Sequence, residues 1–371
     1  MKYNVFGRCG FEISAVTYGG IVSATEYDGR SYAQDGQPIS DRQVAWAIEQ
    51  GVNYFDVAPT YGNAELQLGH SLIPFRKDIH LACKTAERLR KTAQPEMEKS
   101  LKLLHTDYFD VYQLHGLSTM EELERAFGPG GTMEMLLEMK EKGMAKRLGI
   151  TAHNEDVALR ALELYDFDTV LFPFNWHMHM GWGMGRRLLE KAKERNMGIL
   201  CMKSMIERAW KSDEERYASK YPKSWCRPFD TETEADLLRA GIRYVQSLGV
   251  HTIIPPGNYD HFSFGVHHID ELLSRPISEE EKAMLAAHLE EVKEYPFFHP
   301  EKKYCQWNRK QDMLYRKRAL RRSSFPVPGG MQALRLSLIE RDRSQGTAMA
   351  QRRFGDAPEG GKRFGTENDG P

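Results

Sequence analysis

Short runs rich in β-branched and aromatic residues alternate along this chain with longer segments whose apolar positions repeat at helical spacing. The strand-like runs fall at residues 13–18, 52–56, 79–84, 108–115, 147–151, 169–175, 198–203 and 251–255, and a helix-like segment precedes each one after the first. Eight such alternations predict parallel strands joined by crossover helices, that is, a (β/α)8 TIM barrel with long strand-to-helix loops. Local signals agree. Ser40 and Gln43 make a capping box before Val44-Ala45-Trp46-Ala47-Ile48, and Gly51 stops that helix. Pro95 opens a helix with an apolar stripe of Met97, Leu101 and Leu104. Gly143 and Gly249 stop the helices before the fifth and eighth strands.

The competing architecture is an open, doubly wound sheet. It would carry a glycine-rich phosphate turn leading from the first strand straight into a helix. Gly19-Gly20 follows the first run, but residues 21–37 read as polar loop, which favours the barrel. Two insertions stand out. Residues 206–233, rich in Arg, Lys, Glu and aromatics, far exceed the usual connection and are expected to roof the strand-end face; residues 24–39 could form another wall. The chain divides into a catalytic-type barrel at 1–295, a basic extension readable as a helix at 296–322, and a tail at 323–371. That tail is too rich in Gly, Pro and charge to bury a core and is expected to be disordered.

Composition narrows the class. Of 371 residues 41% are hydrophobic, enough for a substantial core, and a formal net charge of -1 gives no global reason to expect nucleic acid or an anionic membrane as partner. Cys9, Cys83, Cys201, Cys226 and Cys305 are odd in number and form no Cys-x-x-Cys pair, so reduced thiols are expected rather than a disulfide framework or metal cage. With no apolar signal core at the start and no long apolar run, the expectation is a soluble, cytoplasmic protein. No pattern specifies an oligomeric state.

Three successive strands end in an ionisable residue on the same side: Asp56, Lys84 and His115, with Tyr61 just past the first. Strand ends on that face are where α/β folds build their sites. A carboxylate after the apolar run Val52-Asn53-Tyr54-Phe55 needs a cationic partner to stay ionised. Singly, each residue has a plainer role: a packing tyrosine, a solvated lysine, a structural histidine. Four in order on adjacent strand ends point to chemistry.

The run from Gly51 through Gly69 with Asp56 and Tyr61, strand-end Lys84, Asp107-Tyr108-Phe109-Asp110 followed by Gln113-Leu114-His115, and Gly149-Ile150-Thr151 together resemble the aldo-keto reductase family over roughly residues 5–290. The resemblance implies an NAD(P)H-dependent reductase of a small aldehyde or ketone. Tyr61 would give the proton and Lys84 would lower its pKa; Asp56 would hold the ammonium and His115 would donate to the carbonyl oxygen. For the cofactor it implies contacts from Thr151, Asn175, Met202, Lys203, Gly257 and Asn258. The family's Gly-x-Ser-Asn after strand five is here Gly149-Ile150-Thr151-Ala152, its strand-six Gln falls at Leu171, and Met202 stands where an aromatic usually stacks. NADPH is the cofactor the resemblance implies. Tyr259-Asp260-His261 stands where a basic residue usually meets the 2′-phosphate, with no Lys or Arg before Arg275, which leaves NADH open.

His177 and His179 invite a metal reading, as a His-x-His pair on a strand faces one way, but no third ligand is close in sequence and no metal is expected. Trp176 and His177 are expected to face substrate instead, with Trp182, Trp210 and Trp225 walling an aromatic pocket. The alternatives to a reductase are a low-turnover, cofactor-binding regulatory protein on the same barrel, and a nucleic-acid module resting only on the basic run at 302–322.

Overall fold

A computed structural model describes residues 1–32 and 36–298. The expected basic run at 302–322 and the tail at 323–371 lie outside the described residues. Eight parallel strands form the main sheet: β1 (Tyr18–Gly19), β2 (Tyr54–Asp56), β3 (His80–Thr85), β4 (Phe109–Leu117), β5 (Ala145–Ala152), β6 (Thr169–Phe172), β7 (Gly198–Met202) and β8 (Thr252–Ile254). Each neighbours the next in chain order, and a parallel bridge between Val16 and Ile253 joins the two edges. Thr17 N donates to Ile253 O at 2.9 Å and Ile253 N to Ala15 O at 3.0 Å, which closes the barrel there. The (β/α)8 barrel is therefore the fold.

Twelve helices are described: α1 (Gly36–Glu49), α2 (Ala64–Leu72), α3 (Arg90–Leu103), α4 (Met120–Phe127), α5 (Thr132–Glu141), α6 (Glu155–Leu164), α7 (Trp176–Trp182), α8 (Arg186–Glu194), α9 (Asp213–Ala218), α10 (Ala235–Ser247), α11 (Tyr259–Leu272) and α12 (Glu279–Val292). Several start as local chemistry dictates. Asn154 caps α6 by accepting from Asp156 N and Val157 N, and Ser278 with Glu281 makes a full capping box on α12. None of the described helices is long and apolar enough to cross a membrane.

Some expected boundaries moved. α1 begins at Gly36, so Ser40 lies inside the helix and its hydroxyl bonds to those of Ser23 and Ser71 at 2.9 Å each instead of capping. α3 begins at Arg90, five residues before Pro95. The expected first strand at 13–18 splits: Glu12–Ser14 pairs antiparallel with Tyr3–Val5, and only Tyr18–Gly19 enters the barrel. That hairpin has a purpose, since Phe6, Cys9 and Ile13 pack with the strand residues Tyr54, Ala82, Val111, Leu171 and Leu200 into one buried cluster. After α12 the boundary expected at residue 295 falls inside packed structure. Phe297 and Phe298 are buried against Met178, Ile206, Ala209 and Cys226, so the packed unit extends at least to Phe298.

The insertion at 206–233 is structured. Ile206–Arg208 pairs antiparallel with Arg227–Pro228, and α9 lies between them. It reaches the β1–α1 loop through Arg216 to Asp28 at 2.9 Å, Lys223 to the Val22 carbonyl at 3.0 Å, and a stack of Trp225 on Tyr27 with centroids 6.1 Å apart. The two walls expected separately are thus joined.

Candidate active site

Strand register brings the ionisable strand ends together. Asp56 pairs with Ala82 across β2–β3, and Lys84 pairs with Gln113 across β3–β4. Residues two apart on a strand share a face, so Asp56, Lys84 and Gln113 each stand one layer beyond the core residues Tyr54, Ala82 and Val111. All three are buried. Lys84 Nζ donates to Asp56 Oδ1, and Gln113 Nε2 donates to Asp56 Oδ2 at 3.0 Å. Burial by itself would lower the Lys84 pKa, but Asp56 and then Tyr61 hold it above the ordinary lysine value, so the group is an ammonium.

Tyr61 hangs from the β2–α2 loop, where Tyr61 N donates to Ala58 O at 3.0 Å. Gly62 follows with φ +64°, and a Cβ there would lie 1.7 Å from the Glu26 carbonyl oxygen, so the chain turns where only glycine fits. Asn63 bolts this loop to its neighbour: its Oδ1 accepts from Thr25 N and Glu26 N at 3.0 Å each. The Lys84 ammonium lies 5.2 Å from the Tyr61 ring centroid. Burial raises the phenol pKa, Lys84 pulls it down, and Asp56 pushes it up; the net is above the ordinary value. The expected lowering is therefore an offset within a raised pKa, because desolvation in this corner outweighs the ammonium.

β4 does not stop at His115. It runs to Leu117, with the β4–β5 register broken between Leu114 and Leu117 and with Gly116 at φ +63°. A bulge re-aims the residue it carries, and the imidazole meets the Tyr61 ring edge-on with centroids 5.7 Å apart at 87°. The bulge is tied by Gly116 N to Thr151 Oγ1 at 2.6 Å and by Arg88 Nη2 to the His115 carbonyl at 2.7 Å. Thr60 Oγ1 lies 3.5 Å from His115 Nδ1. Burial, with Lys84, His153 and Arg88 adding to it, holds the imidazole pKa well below the ordinary value, so the ring is neutral near pH 7 and keeps one N–H to offer.

A sequence model described as the Aldo/keto reductase family matches residues 23–250. The chain belongs to the aldo-keto reductase family. Members of this family are generally NAD(P)H-dependent oxidoreductases. Similar proteins include "Aldo-keto reductase YhdN" of Bacillus subtilis, 27% identical over 165 residues that cover 41% of this chain and 47% of YhdN. "Probable aldo-keto reductase 1" of Glycine max is 29% identical over 179 residues, 44% of this chain and 49% of the relative. The chain spans about half the length of the curated relatives it matches. Among solved structures, the holo form of aldo-keto reductase AKR11C1 from Bacillus halodurans aligns with a TM-score of 0.57 at 19% identity, covering 78% of this chain and 96% of that one. A Bombyx mori aldo-keto reductase in complex with NADP aligns with a TM-score of 0.55 at 16% identity, covering 80% and 97%. These two share the fold.

As an aldo-keto reductase chain it builds the other half of its barrel mouth differently from the sequence expectation. The Thr151 hydroxyl accepts from Gly116 N and so supports the His115 bulge. Asn175 is fully buried and spends its amide on structure. Its Nδ2 donates to Lys203 O and Ile206 O at 2.8 Å each, and its Oδ1 accepts from His177 N and Met178 N as the cap of α7. That arrangement leaves its amide nothing for a carboxamide. Met202, at the end of β7, packs against the barrel core, and Lys203 follows it at φ +64° with Nζ 3.7 Å from Cys226 Sγ. The Lys203 ammonium also lies 5.9 and 5.8 Å from the ring centroids of Phe297 and Phe298.

After β8, Gly257 is held so close to Ile21 that a Cβ would meet its Cγ2 at 2.2 Å. Asn258 precedes α11 without capping it by its side chain, and its Nδ2 is buried with no partner among the described residues. The Ser204 hydroxyl is likewise buried and unpartnered there. Uncapped helix N–H groups and orphaned donors suit an anionic group, so this side fits a dinucleotide's phosphates.

The histidine pair is not on a strand. β6 ends at Phe172, and His177 and His179 lie on α7, about 100° per residue apart and so pointing away from each other. His177 Nδ1 meets the Glu207 carbonyl at 2.7 Å, and His179 Nδ1 meets Tyr244 Oη at 2.8 Å. Among the described residues no group of three His, Cys, Asp or Glu side chains is arranged to hold a metal ion. Trp176, expected to face substrate, is fully buried, with Nε1 on the Ile206 carbonyl at 3.0 Å and its ring on Phe229. Trp210 is buried within the insertion with Nε1 on Ser224 O, and Trp182 is 39% exposed, so the four tryptophans do not share one pocket.

The structure adds Gln113, Thr60, Arg88, His153, Tyr27, Phe297 and Phe298 to this neighbourhood. Gln113 stood in the strand-four motif two residues before His115, which was the available signal. Phe297-Phe298 showed only as the end of an apolar pair after α12. A groove of about 670 Å³ beside Arg76, His105 and Tyr108 lies before β3 and β4, at the opposite barrel end. Its Arg76 is committed to Thr106, Asp110 and the Tyr108 carbonyl.

Proposed function

We propose that this chain reduces the carbonyl group of an aldehyde or ketone to an alcohol, using a nicotinamide dinucleotide. The observation that carries the reading is the contact chain Gln113–Asp56–Lys84 ending beneath the Tyr61 ring, with the neutral His115 imidazole edge-on to that ring. Gly257, Asn258, Ser204 and the start of α11 would hold the dinucleotide's phosphates, and Met202 would support its ring. Bound there, that group supplies the hydride.

The chain's own residues handle the proton and the orientation. His115 donates its N–H to the carbonyl oxygen, fixing it beside Tyr61 Oη. Tyr61 then gives its proton to that oxygen as negative charge builds on it. The Lys84 ammonium stabilises the phenolate left behind, and Asp56 keeps the ammonium charged and in place. The raised phenol pKa keeps the acid protonated at neutral pH. NADPH and NADH are both candidates: the α11 start carries Tyr259, Asp260 and a buried His261 bonded to the Phe229 carbonyl, with no Lys or Arg among them.

The test is oxidation of NADPH and of NADH, followed at the nicotinamide absorbance, with a panel of aldehydes and ketones. Turnover that Tyr61→Phe abolishes supports the reading; turnover that Tyr61→Phe leaves unchanged sinks it. A second reading, a cofactor-binding protein of low turnover, is favoured by one observation, the commitment of the Asn175 amide to α7 and the β7 loop. Tight nucleotide binding by calorimetry without turnover of any carbonyl would select it.

A further inference from the structure

We infer that Gln113 is a positioning residue for the proton-donating group, acting through Asp56 to set the charge that Tyr61 feels. The inference rests on the reductase reading above. An amide is an expensive side chain at this place. Gln113 is fully buried on β4, its Oε1 has no partner among the described residues, and its neighbour on the same face, Val111, belongs to the apolar core. Burying a half-satisfied amide costs stability that an apolar residue would not. What the position gains is one contact, Nε2 to Asp56 Oδ2 at 3.0 Å.

That contact divides the carboxylate's two oxygens between two donors. Oδ1 takes the Lys84 ammonium and Oδ2 takes the Gln113 amide, so the carboxylate is pinned from β3 and β4 at once. Backbone register makes the arrangement rigid, because Lys84 and Gln113 are paired across β3–β4 and Gln113 pairs on its other side with Gly149. Gly149 also gives the amide its space. A Cβ there would come within 3.1 Å of Gln113 Cγ and 2.1 Å of Thr169 Oγ1.

The electrostatic consequence follows from the signs. Asp56 pushes the Tyr61 pKa up and Lys84 pulls it down. A donor on Oδ2 withdraws charge from the carboxylate and keeps it aligned on Lys84, so Gln113 weakens the upward push. Without that N–H the phenol becomes a weaker acid.

Gln113→Met keeps length and removes the donor; Gln113→Glu keeps shape and donates only while its own carboxyl is protonated. With the full chain, Gln113→Met is expected to lower kcat by about 10-fold with KM and nucleotide affinity held, and to move the alkaline limb of kcat to higher pH. Gln113→Glu is expected to match the parent at acid pH and to lose rate as pH rises through the titration of the introduced carboxyl. A pH profile of Gln113→Met that superimposes on the parent, or a Gln113→Glu variant that tracks the parent at every pH, overturns the inference. A second measurement needs no turnover: the 1H–15N signal of the Lys84 ammonium, assigned by its loss in Lys84→Met. It should shift in Gln113→Met and return in Gln113→Glu at acid pH. An unmoved signal overturns the role of Gln113 whatever the assays show. A moved signal in a protein whose parent reduces no carbonyl instead supports that role and removes the reductase reading.

Discussion

The β2–β4 side of the barrel mouth and the β5–β8 side are built on different rules. On the first, the polar groups are strand residues or sit one short turn from a strand, and backbone pairing fixes their relative positions: Asp56 beside Ala82, Lys84 beside Gln113. On the second, Asn175, Lys203, Ser204 and Asn258 lie in loops and Thr151 lies on β5, and several of these groups serve the scaffold itself. Asn175 caps α7 and ties down Lys203 and Ile206, and Thr151 holds the His115 bulge. The side that would handle the proton is thus preassembled, while the side that would receive a dinucleotide offers main-chain N–H groups and orphaned donors at Asn258 and Ser204. A motif residue placed in a loop can be claimed by that loop first, as Asn175 is.

The largest effect expected of this contrast is on the proton side. Tyr61→Phe should lower kcat by about 10³-fold with nucleotide Kd unchanged, as removal of a general acid does; a large change in Kd would show that the two sides are not separable. Asp56→Leu leaves the Lys84 ammonium buried without its partner. It should cost about 3–5 kcal/mol in chemical denaturation, and Lys84→Met in the same background should recover part of that loss. A smaller effect sharpens the comparison on the loop side. His177 is fully buried, and burial with His288 lowers its pKa to about 3. A histidine whose folded pKa is depressed stabilises the fold above the unfolded value near ~6.5, and that contribution is lost as pH falls toward 3. Stability should therefore fall by about 1.4 kcal/mol per pH unit from this group between pH 6 and 4. His177→Asn should show a slope shallower by that amount in urea titrations. The smallest effect is at Asn175→Ala, where loss of the α7 cap should cost about 1–2 kcal/mol and leave nucleotide Kd within about twofold. A tenfold loss of nucleotide affinity there would return Asn175 to the cofactor's contacts and erase the contrast.

What was legible in the chain follows the same division. The eight alternations gave the barrel because period-2 runs and period-3.6 segments are local properties of sequence. Asp56, Tyr61, Lys84 and His115 could be grouped because parallel strands end on one face. The strand assigned to 169–175 overran, since Phe174 is apolar enough to continue it, whereas β6 stops at Phe172 before Pro173 and Asn175 already caps α7. The tryptophans misled for a related reason: a large apolar ring near a strand end suits a pocket wall and a core equally, and packing against Phe229 decided for the core at Trp176.

The sequence by itself determined the order of strands and helices and the grouping of Asp56, Tyr61, Lys84 and His115 at one barrel end, because these depend on spacing along one chain. Only the tertiary structure decided the rest. The bulge that aims His115, the Gln113 amide on Asp56, the packing of Phe297 and Phe298 against Cys226 and the commitment of Asn175 all arise between segments remote in sequence. Desolvation is the clearest case. Whether the Lys84 charge or burial governs the Tyr61 phenol depends on how much of the surrounding barrel covers it, and burial prevails there.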